Sequence, residues 1–395
     1  MKIAFNIEDR QVGPGNPVLI IAEAGVNHEG SLESAIKLVD AAADAGADIV
    51  KFQTFSADKI IVKKAKMAKY QQENLKSTQS QYALLKSLEI DASFHKKIKD
   101  YCKLKGIIFQ STPHSNKWSV DLLRKLGVSS YKVGSGDLTN IPHLKNIARL
   151  KKPMIVSTGM AVMDEIEEAV HAITAAGNDQ LILLHCTTDY PCPYEEVNLS
   201  AMLTIQKSTG ISTGYSDHTM GILVPLLAVF YGACTIEKHV TLDRTIKNPK
   251  SPDHKASLEP DEFTEMVQAI RFMERQQFSN FKDCLAKLKK NLNIDLTNAY
   301  QQKGLDASIT AIMGDGIKRP QPSEQKIRGL VRKSIIAIKP IRKGEKFSEK
   351  NIDILRPEGG LHPREWDKVI TQGHARKALK PEMFVTKEDV SFKKK

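Results

Sequence analysis

Short apolar, β-branched runs alternate with longer stretches whose apolar residues recur every three or four positions, and this rhythm persists to about residue 275. The short runs are Val18–Ala22, Ala47–Gln53, Gly106–Gln110, Val128–Val133, Pro153–Ser157, Leu181–Cys186, Ile211–Tyr215 and Ala233–Lys238, which predict eight strands. Between them lie amphipathic segments such as Ser34–Ala45, closed by Gly46, and Asp164–Ala176, closed by Gly177, with glycine in the helix-stop position. Eight strands separated by helices predict parallel βα units closing into an α/β fold, a (β/α)8 TIM barrel. The open, doubly wound alternative lacks its GxGxxG fingerprint after the first strand.

In such a barrel the chemistry sits where strands end. Here the ends carry Glu23, Lys51 with Gln53, Thr112, Lys132 with Ser135, Ser157, Thr188 with Tyr190, Ser216 with His218, and Glu237-Lys238-His239. Polar residues at all eight ends point to one shared cup. Tyr131–Asp137, YKVGSGD, is its densest piece. Its glycines allow close approach or positive φ, Lys132 brings charge and Ser135 a hydroxyl, although a plain strand-to-helix turn has the same composition. Two lysines with the hydroxyls of Ser135, Ser157 and Ser216 suit a dianion such as phosphate. His218 and His239, at the ends of adjacent strands, are placed to converge on a divalent metal, and Glu23 is the candidate general acid or base. Plain hydrogen bonding by the histidines and an ion pair between Glu23 and Lys51 are the simpler alternatives.

Beyond the barrel, Pro260–Met273 reads as a helix with Phe263, Met266, Val267, Ile270 and Met273 on one face. The segment 276–310 is polar and lysine-rich, either an extra helix near Phe281–Leu292 or a loop. A Gly/Pro-rich connector follows at Gly314–Glu324, and from about Ile327 the pattern changes to short strands and turns. The expected division is a barrel over 1–275, an insertion and linker over 276–326, and a small, mostly β domain over 327–395.

The net charge of +12 is uneven: residues 326–395 hold 19 Lys/Arg against 9 Asp/Glu, hence +10 of the excess. With only Phe347, Trp366, Phe384 and Phe392 as aromatics and no reading motif, this region is expected to be a solvated basic surface and not a nucleic-acid site. No apolar run is long enough to cross a bilayer, so no membrane partner is expected. From five separate cysteines without CxxC spacing, and no signal-peptide run, a reducing cytoplasm is expected.

Taken in order, IAEAGVNHEG (21–30), VKFQTF (50–55), YKVGSGD, STGM (157–160), HCTTDYP (185–191), GYSDH (214–218), EKH (237–239), PDHKASLEP (252–260) and GIKRPQPSE (316–324) resemble the sialic acid synthase family. Residues 328–361 and onward look like the antifreeze-like SAF domain joined to such barrels. The resemblance covers nearly the whole chain and implies a synthase that condenses phosphoenolpyruvate with an N-acylated hexosamine to make a nonulosonic acid. It assigns Lys51, Thr112, Lys132, Ser135, Ser157 and Ser216 to phosphoenolpyruvate, and His218 and His239 to a divalent metal, Mn²⁺ or Mg²⁺. Glu23, Gln53, Tyr190 and Asp253 then face the sugar. The resemblance further implies a homodimer in which the SAF domain of one chain covers the other's barrel, so that Arg356 meets the sugar's N-acyl group in trans.

Three departures stand out: Asp137 where the family often has Glu, Thr188 at a phosphate-contacting position where sialic acid synthases tend to have Asn, and the long segment 276–310. PDHKAS favours the sialic and legionaminic branches over the pseudaminic one, and Thr188 and Asp137 tilt the expectation toward a 2,4-diacetamido sugar over N-acetylmannosamine. Asp137 is expected to act beside Glu23 in catalysis or sugar choice. A Schiff-base pyruvate aldolase using Lys132 or Lys51, and a carbohydrate- or ice-binding protein built on the SAF module, are the alternatives of other classes.

Overall fold

The computed structural model describes residues 4–77 and 79–392. It opens with an antiparallel hairpin, β1 (Phe5–Ile7) and β2 (Arg10–Val12), which the sequence pattern did not predict. Eight parallel strands follow: β3 (Leu19–Gly25), β4 (Ile49–Thr54), β5 (Ile108–Pro113), β6 (Tyr131–Val133), β7 (Met154–Ser157), β8 (Leu181–His185), β9 (Ser212–Asp217) and β10 (Thr235–His239). Their hydrogen-bonded order is β5-β4-β3-β10-β9-β8-β7-β6. The two terminal strands of that order also meet, where the Gln110 amide donates to Ser130 Oγ at 2.6 Å, so the sheet is a nearly closed barrel. All eight predicted strands exist, several shifted by two or three residues toward their carboxyl ends.

Strand parity sorts the side chains. On β3, Ile20, Ala22 and Ala24 face outward and pack with Leu38 and Val39 of the helix Leu32–Asp44 and their neighbours. Leu19 and Ile21 face inward, and with Ile49, Ile155, Ile182 and Leu184 they fill the barrel's lower interior, where Phe5, Ile7 and Val12 of the hairpin close the floor. Each such fully buried aliphatic side chain stabilises the fold by about 1.5–3 kcal/mol relative to exposure. One step further along the same inward rows the residues become Glu23, Lys51 and Ser157: the apolar floor gives way to a polar cup.

The segment 276–310 is ordered rather than a loop. Asn280 caps a helix over Phe281–Leu292 by accepting from Asp283 N–H, and Phe281, Cys284, Leu285 and Leu288 join the main core. A second helix, Leu305–Met313, docks beside Tyr194–Glu196, where Leu199 N–H donates to Ile312 O. The Gly/Pro-rich connector at Gly314–Glu324 is likewise built in. Lys318 and Glu324 are buried, and Glu324 lies in the first turn of a helix, Pro322–Val331.

The small domain consists of two antiparallel pairs, β11 (Ser334–Ala337) with β12 (Ile352–Leu355) and β13 (Gly373–Ala375) with β14 (Val390–Phe392). Its own core holds Ile335, Phe347, Ile352, Trp366, Val369 and Val385. Ile336 and Leu355 face the barrel and pack with Val26, Phe55, Ile60 and Ile61. All five cysteines are buried and none is in a disulfide, and among the described residues no helix is long and apolar enough to cross a membrane.

Candidate active site

The inward rows of neighbouring strands bring four charges together at the top of the barrel. In register, Glu23 on β3 lies beside Lys51 on β4, and Glu237 on β10 lies beside Ser216 on β9. Lys51 Nζ stands 2.5 Å from Glu23 and 3.6 Å from Glu237, and Lys132 Nζ is 3.3 Å from Glu237. The lysines also donate to Thr112 Oγ1 (3.3 Å, from Lys51) and Ser157 Oγ (2.7 Å, from Lys132), while Ser216 Oγ donates to Glu237 at 2.9 Å. Gln53 Nε2 donates to Glu23 at 3.4 Å.

All four charged side chains are at most 4% exposed, so each is desolvated and relies on its neighbours. Burial pushes the Glu23 carboxyl up to about 7, with the Glu237 charge adding to the rise and Lys51 opposing it. Glu237 itself is held low: burial works against it, but Lys132 and Lys51 flank it. Burial also lowers the Lys132 ammonium, the more weakly paired of the two lysines.

Glu237, named at its strand end, has no role assigned from the sequence. The signal was there: it sits two residues before His239 and therefore shares its inward face, whereas Lys238 between them must point outward.

A second group forms a cradle beside Lys132. Gly159 N–H donates to Ser135 Oγ at 3.0 Å, and Thr188 Oγ1 is buried with no hydrogen-bond partner. A Cβ at Gly159 would lie 2.3 Å from Thr188 Oγ1 and 2.8 Å from Ser135 Oγ, so glycine is required for the loops after β6, β7 and β8 to converge. Glu324 fixes two of them from behind: its Oε1 accepts from Met160 N–H and Thr188 N–H, both at 2.7 Å. The connector thus supports the cup, which the sequence reading missed because the connector's composition is that of a loop. In YKVGSGD, Gly134 and Gly136 do not adopt positive φ; they serve close approach alone.

His218 and His239 meet across β9 and β10 with ring centroids 5.4 Å apart, and the Tyr190 ring lies 4.1 Å from the first and 5.5 Å from the second. His218 Nδ1–H donates to Thr187 O at 2.6 Å, which leaves Nε2 as a lone pair. His239 Nδ1 is buried without a hydrogen bond, 3.9 Å from Asp253. Burial lowers both imidazoles, His218 to about 4, so both are neutral, the form that binds a metal. Among the described residues no group of three or more His, Cys, Asp or Glu assembles around one point, so the pair fits an ion that completes its shell with other ligands. Burial raises the Asp253 carboxyl to about 6. Tyr70, absent from the sequence reading, stacks on Tyr190 at 5.4 Å and also lines the pocket.

One pocket gathers every residue singled out from the sequence except Asp137. Asp137 turns away from the cavity: Lys333 Nζ is 2.7 Å from its Oδ1 and His114 Nδ1–H donates to its Oδ2 at 3.2 Å. Although burial opposes ionisation, Lys333 and His114 hold this carboxyl well below the usual range. A carboxylate one methylene shorter than glutamate is here committed to joining the two domains.

Arg356 follows β12 and points toward the barrel. In this chain it enters the pocket of its own barrel, because the small domain is seated there in cis. Arg356 N–H donates to Ile60 O, Val62 N–H donates to Arg356 O, and Asn116 Nδ2 donates to Asp353 at 2.9 Å. The Arg356 Nε is buried and has no hydrogen-bond partner.

Residues 38–281 match the NeuB family and residues 332–391 the SAF domain. The N,N'-diacetyllegionaminic acid synthase of Campylobacter jejuni is 44% identical over 89% of this chain and 94% of its own length. The enzyme of the same name from Legionella pneumophila is 39% identical over 91% of this chain and 90% of its own length. Among solved structures, the spore coat polysaccharide biosynthesis protein SpsE of Bacillus subtilis superposes with a TM-score of 0.78 at 34% identity, covering 99% of this chain and 100% of that one. A barrel and a small domain that match in this order and over these lengths leave one assignment: the chain belongs to the NeuB family.

Proposed function

We propose that this protein is a nonulosonic acid synthase that condenses phosphoenolpyruvate with an N-acylated hexosamine and water, giving a sialic- or legionaminic-type acid and phosphate. The observation that carries the reading is the cup itself, in which two buried lysines, a hydroxyl and amide cradle and a pair of neutral imidazoles share one cavity. The sugar favoured is a 2,4-diacetamido hexose, because the two relatives described above are both N,N'-diacetyllegionaminic acid synthases.

In this reading Lys51, Lys132, Ser135, Ser157, Ser216, Thr112 and Thr188 hold phosphoenolpyruvate. They neutralise its phosphate with charges and donors already in place. Gln53, Tyr190, Asp253 and Arg356 position the open-chain sugar, so that its aldehyde carbon lies over C3 of phosphoenolpyruvate. His218 and His239 would hold a divalent cation, Mn²⁺ or Mg²⁺, which supplies Lewis-acid polarisation of the aldehyde oxygen.

A C–C bond forms from C3 of phosphoenolpyruvate to the aldehyde carbon, whose oxygen ends as a hydroxyl. Water adds at C2, and the C2–O bond to phosphate breaks, leaving the 2-keto acid and inorganic phosphate. Glu23, poised near 7, is able to take the proton of the attacking water and return one, while Glu237 stays ionised and balances the lysines.

Incubation with phosphoenolpyruvate, Mn²⁺ and each candidate hexosamine, followed by phosphate release and product mass, tests the assignment. Turnover of the diacetamido sugar is expected. No turnover with any N-acylated hexosamine sinks the assignment, and a covalent adduct trapped by borohydride with pyruvate favours the aldolase.

The reading also includes a cytoplasmic setting, supported by five cysteines that form no disulfide, and a homodimer. The seat that the small domain occupies in cis is equally available to a partner's domain, since domain exchange reuses the same contacts. Mixing Arg356→Ala chains with Glu23→Ala chains distinguishes the two: restored activity requires an arginine delivered in trans, and none means that each barrel uses its own.

A further inference from the structure

His114 follows β5 and lines the pocket, yet nothing in the mechanism above employs it. Its ring is held from two sides. Nδ1–H donates to Asp137 Oδ2 at 3.2 Å, and the same carboxylate is fixed by Lys333 at 2.7 Å, while Lys333 Nζ also donates to His114 O at 2.6 Å. The ring edge is admitted by the absence of a side chain at Gly134, where a Cβ would come within 2.9 Å of His114 Cε1. On the other side of the same turn, a Cβ at Gly136 would lie 3.4 Å from Arg356 Nη2. The tripeptide Gly134-Ser135-Gly136 therefore has the imidazole against one glycine and the guanidinium against the other, and both side chains line the cavity.

The two groups are complementary. Asp137 on Nδ1 fixes the tautomer, so Nε2 carries a lone pair, and among the described residues it makes no hydrogen bond. Burial lowers the imidazole to about 4 despite the neighbouring carboxylate, so at neutral pH the ring is uncharged and Nε2 is an acceptor. Arg356 offers the opposite: a buried Nε–H that has no acceptor in the protein. A bare acceptor and an unpaired donor on the same stretch of wall match the two ends of a secondary amide, its N–H and its C=O.

We infer that His114 is a specificity-determining residue whose Nε2 accepts the N–H of the sugar's acylamino group while Arg356 donates to the carbonyl of that same group. Asp137 and Lys333 are positioning residues for this contact. The inference rests on the proposed function, since it presumes an acylated amino sugar, and it adds the reason that an amide and not an ester or a free hydroxyl is taken. A site built to pair with an N–H disfavours an analogue that lacks it, because the acceptor is then left buried and unpaired.

The test uses the full-length protein and two acceptors, the N-acylated hexosamine and its O-acyl analogue, in which an ester oxygen replaces the N–H without added bulk. The wild-type protein is expected to prefer the amide by about tenfold in kcat/KM. In His114→Phe the KM for the amide sugar should rise about tenfold, that for phosphoenolpyruvate should stay within about twofold, and the preference for amide over ester should vanish. Asp137→Asn should behave similarly. Its carbonyl oxygen keeps Lys333 while its amide donates to Nδ1, which turns Nε2 from acceptor into donor. Equal use of amide and ester by the wild type overturns the inference even if the variants fail to fold, as does an undiminished preference in His114→Phe. Failure of the wild type to use the amide sugar at all counts against the proposed function instead.

Discussion

Two buried ion clusters lie on opposite faces of β10, one residue apart. Outward, Lys238 pairs with Asp217 and donates to Thr219 O, while Asp217 accepts from Thr219 N–H and Oγ1–H at 3.2 and 3.1 Å; both charged side chains are fully buried. Inward, Glu237 is shared between two lysines at 3.3 and 3.6 Å, and nearby Thr188 Oγ1 and His239 Nδ1 have no hydrogen bond. The outer cluster is closed on itself. The inner one is left incomplete in a cavity, with donors that nothing in the protein satisfies. Burial of charge is common to both, so burial alone does not mark a site; unsatisfied geometry around an opening does.

If that distinction holds, the two faces respond to the same substitution in different ways. Lys238→Met strands Asp217 without its partner and should destabilise the protein by about 3–5 kcal/mol in chemical denaturation. Lys238→Met combined with Asp217→Leu should recover much of that loss, as expected where a buried pair is structural. Lys132→Met should do the reverse, lowering turnover by about 10²–10³-fold with a much smaller change in denaturation midpoint. Equal loss of stability at both lysines would erase the contrast.

The smallest effect concerns pH. Glu23 titrates near 7 when folded against about 4.5 when unfolded, so between those values the native state retains a proton that the unfolded chain has released. Wild-type stability should fall as pH rises across that window, by an amount on the order of 1–3 kcal/mol, and level off above it. Glu23→Gln should lack this slope; a parallel pH dependence in both proteins would show that Glu23 is not perturbed.

Much of this is legible in the amino-acid sequence. Eight apolar runs with polar ends define a barrel and the lip of its cup, because parallel strands buried on both faces leave polar residues only where they emerge. The inward face of Glu237 is legible by parity, although no role is assigned to it from the sequence. Other features lay beyond pattern reading. Asp137 looks like a pocket residue because it follows Ser135, yet a 3-10 turn over Ser135–Asp137 rotates it toward Lys333, nearly two hundred positions later. Glu324 sits in a Gly/Pro-rich stretch whose composition signals a loop, and only its distant partners, Met160 and Thr188, reveal its burial. The hairpin β1–β2 was missed because three-residue strands carry almost no periodicity.

The position of Arg356 has a kinetic consequence. Phe5, Ile7 and Val12 pack into the far end of the barrel interior, and the small domain stands beside the mouth at the other end with Arg356 reaching in. On the proposed function, two substrates and a water pass inward, and phosphate and the new sugar acid outward, past Arg356. A sugar held by Arg356 would then stand over the cradle at Ser135 and Gly159. On that reading phosphoenolpyruvate is expected to bind before the sugar, an order that initial-rate and product-inhibition kinetics would check.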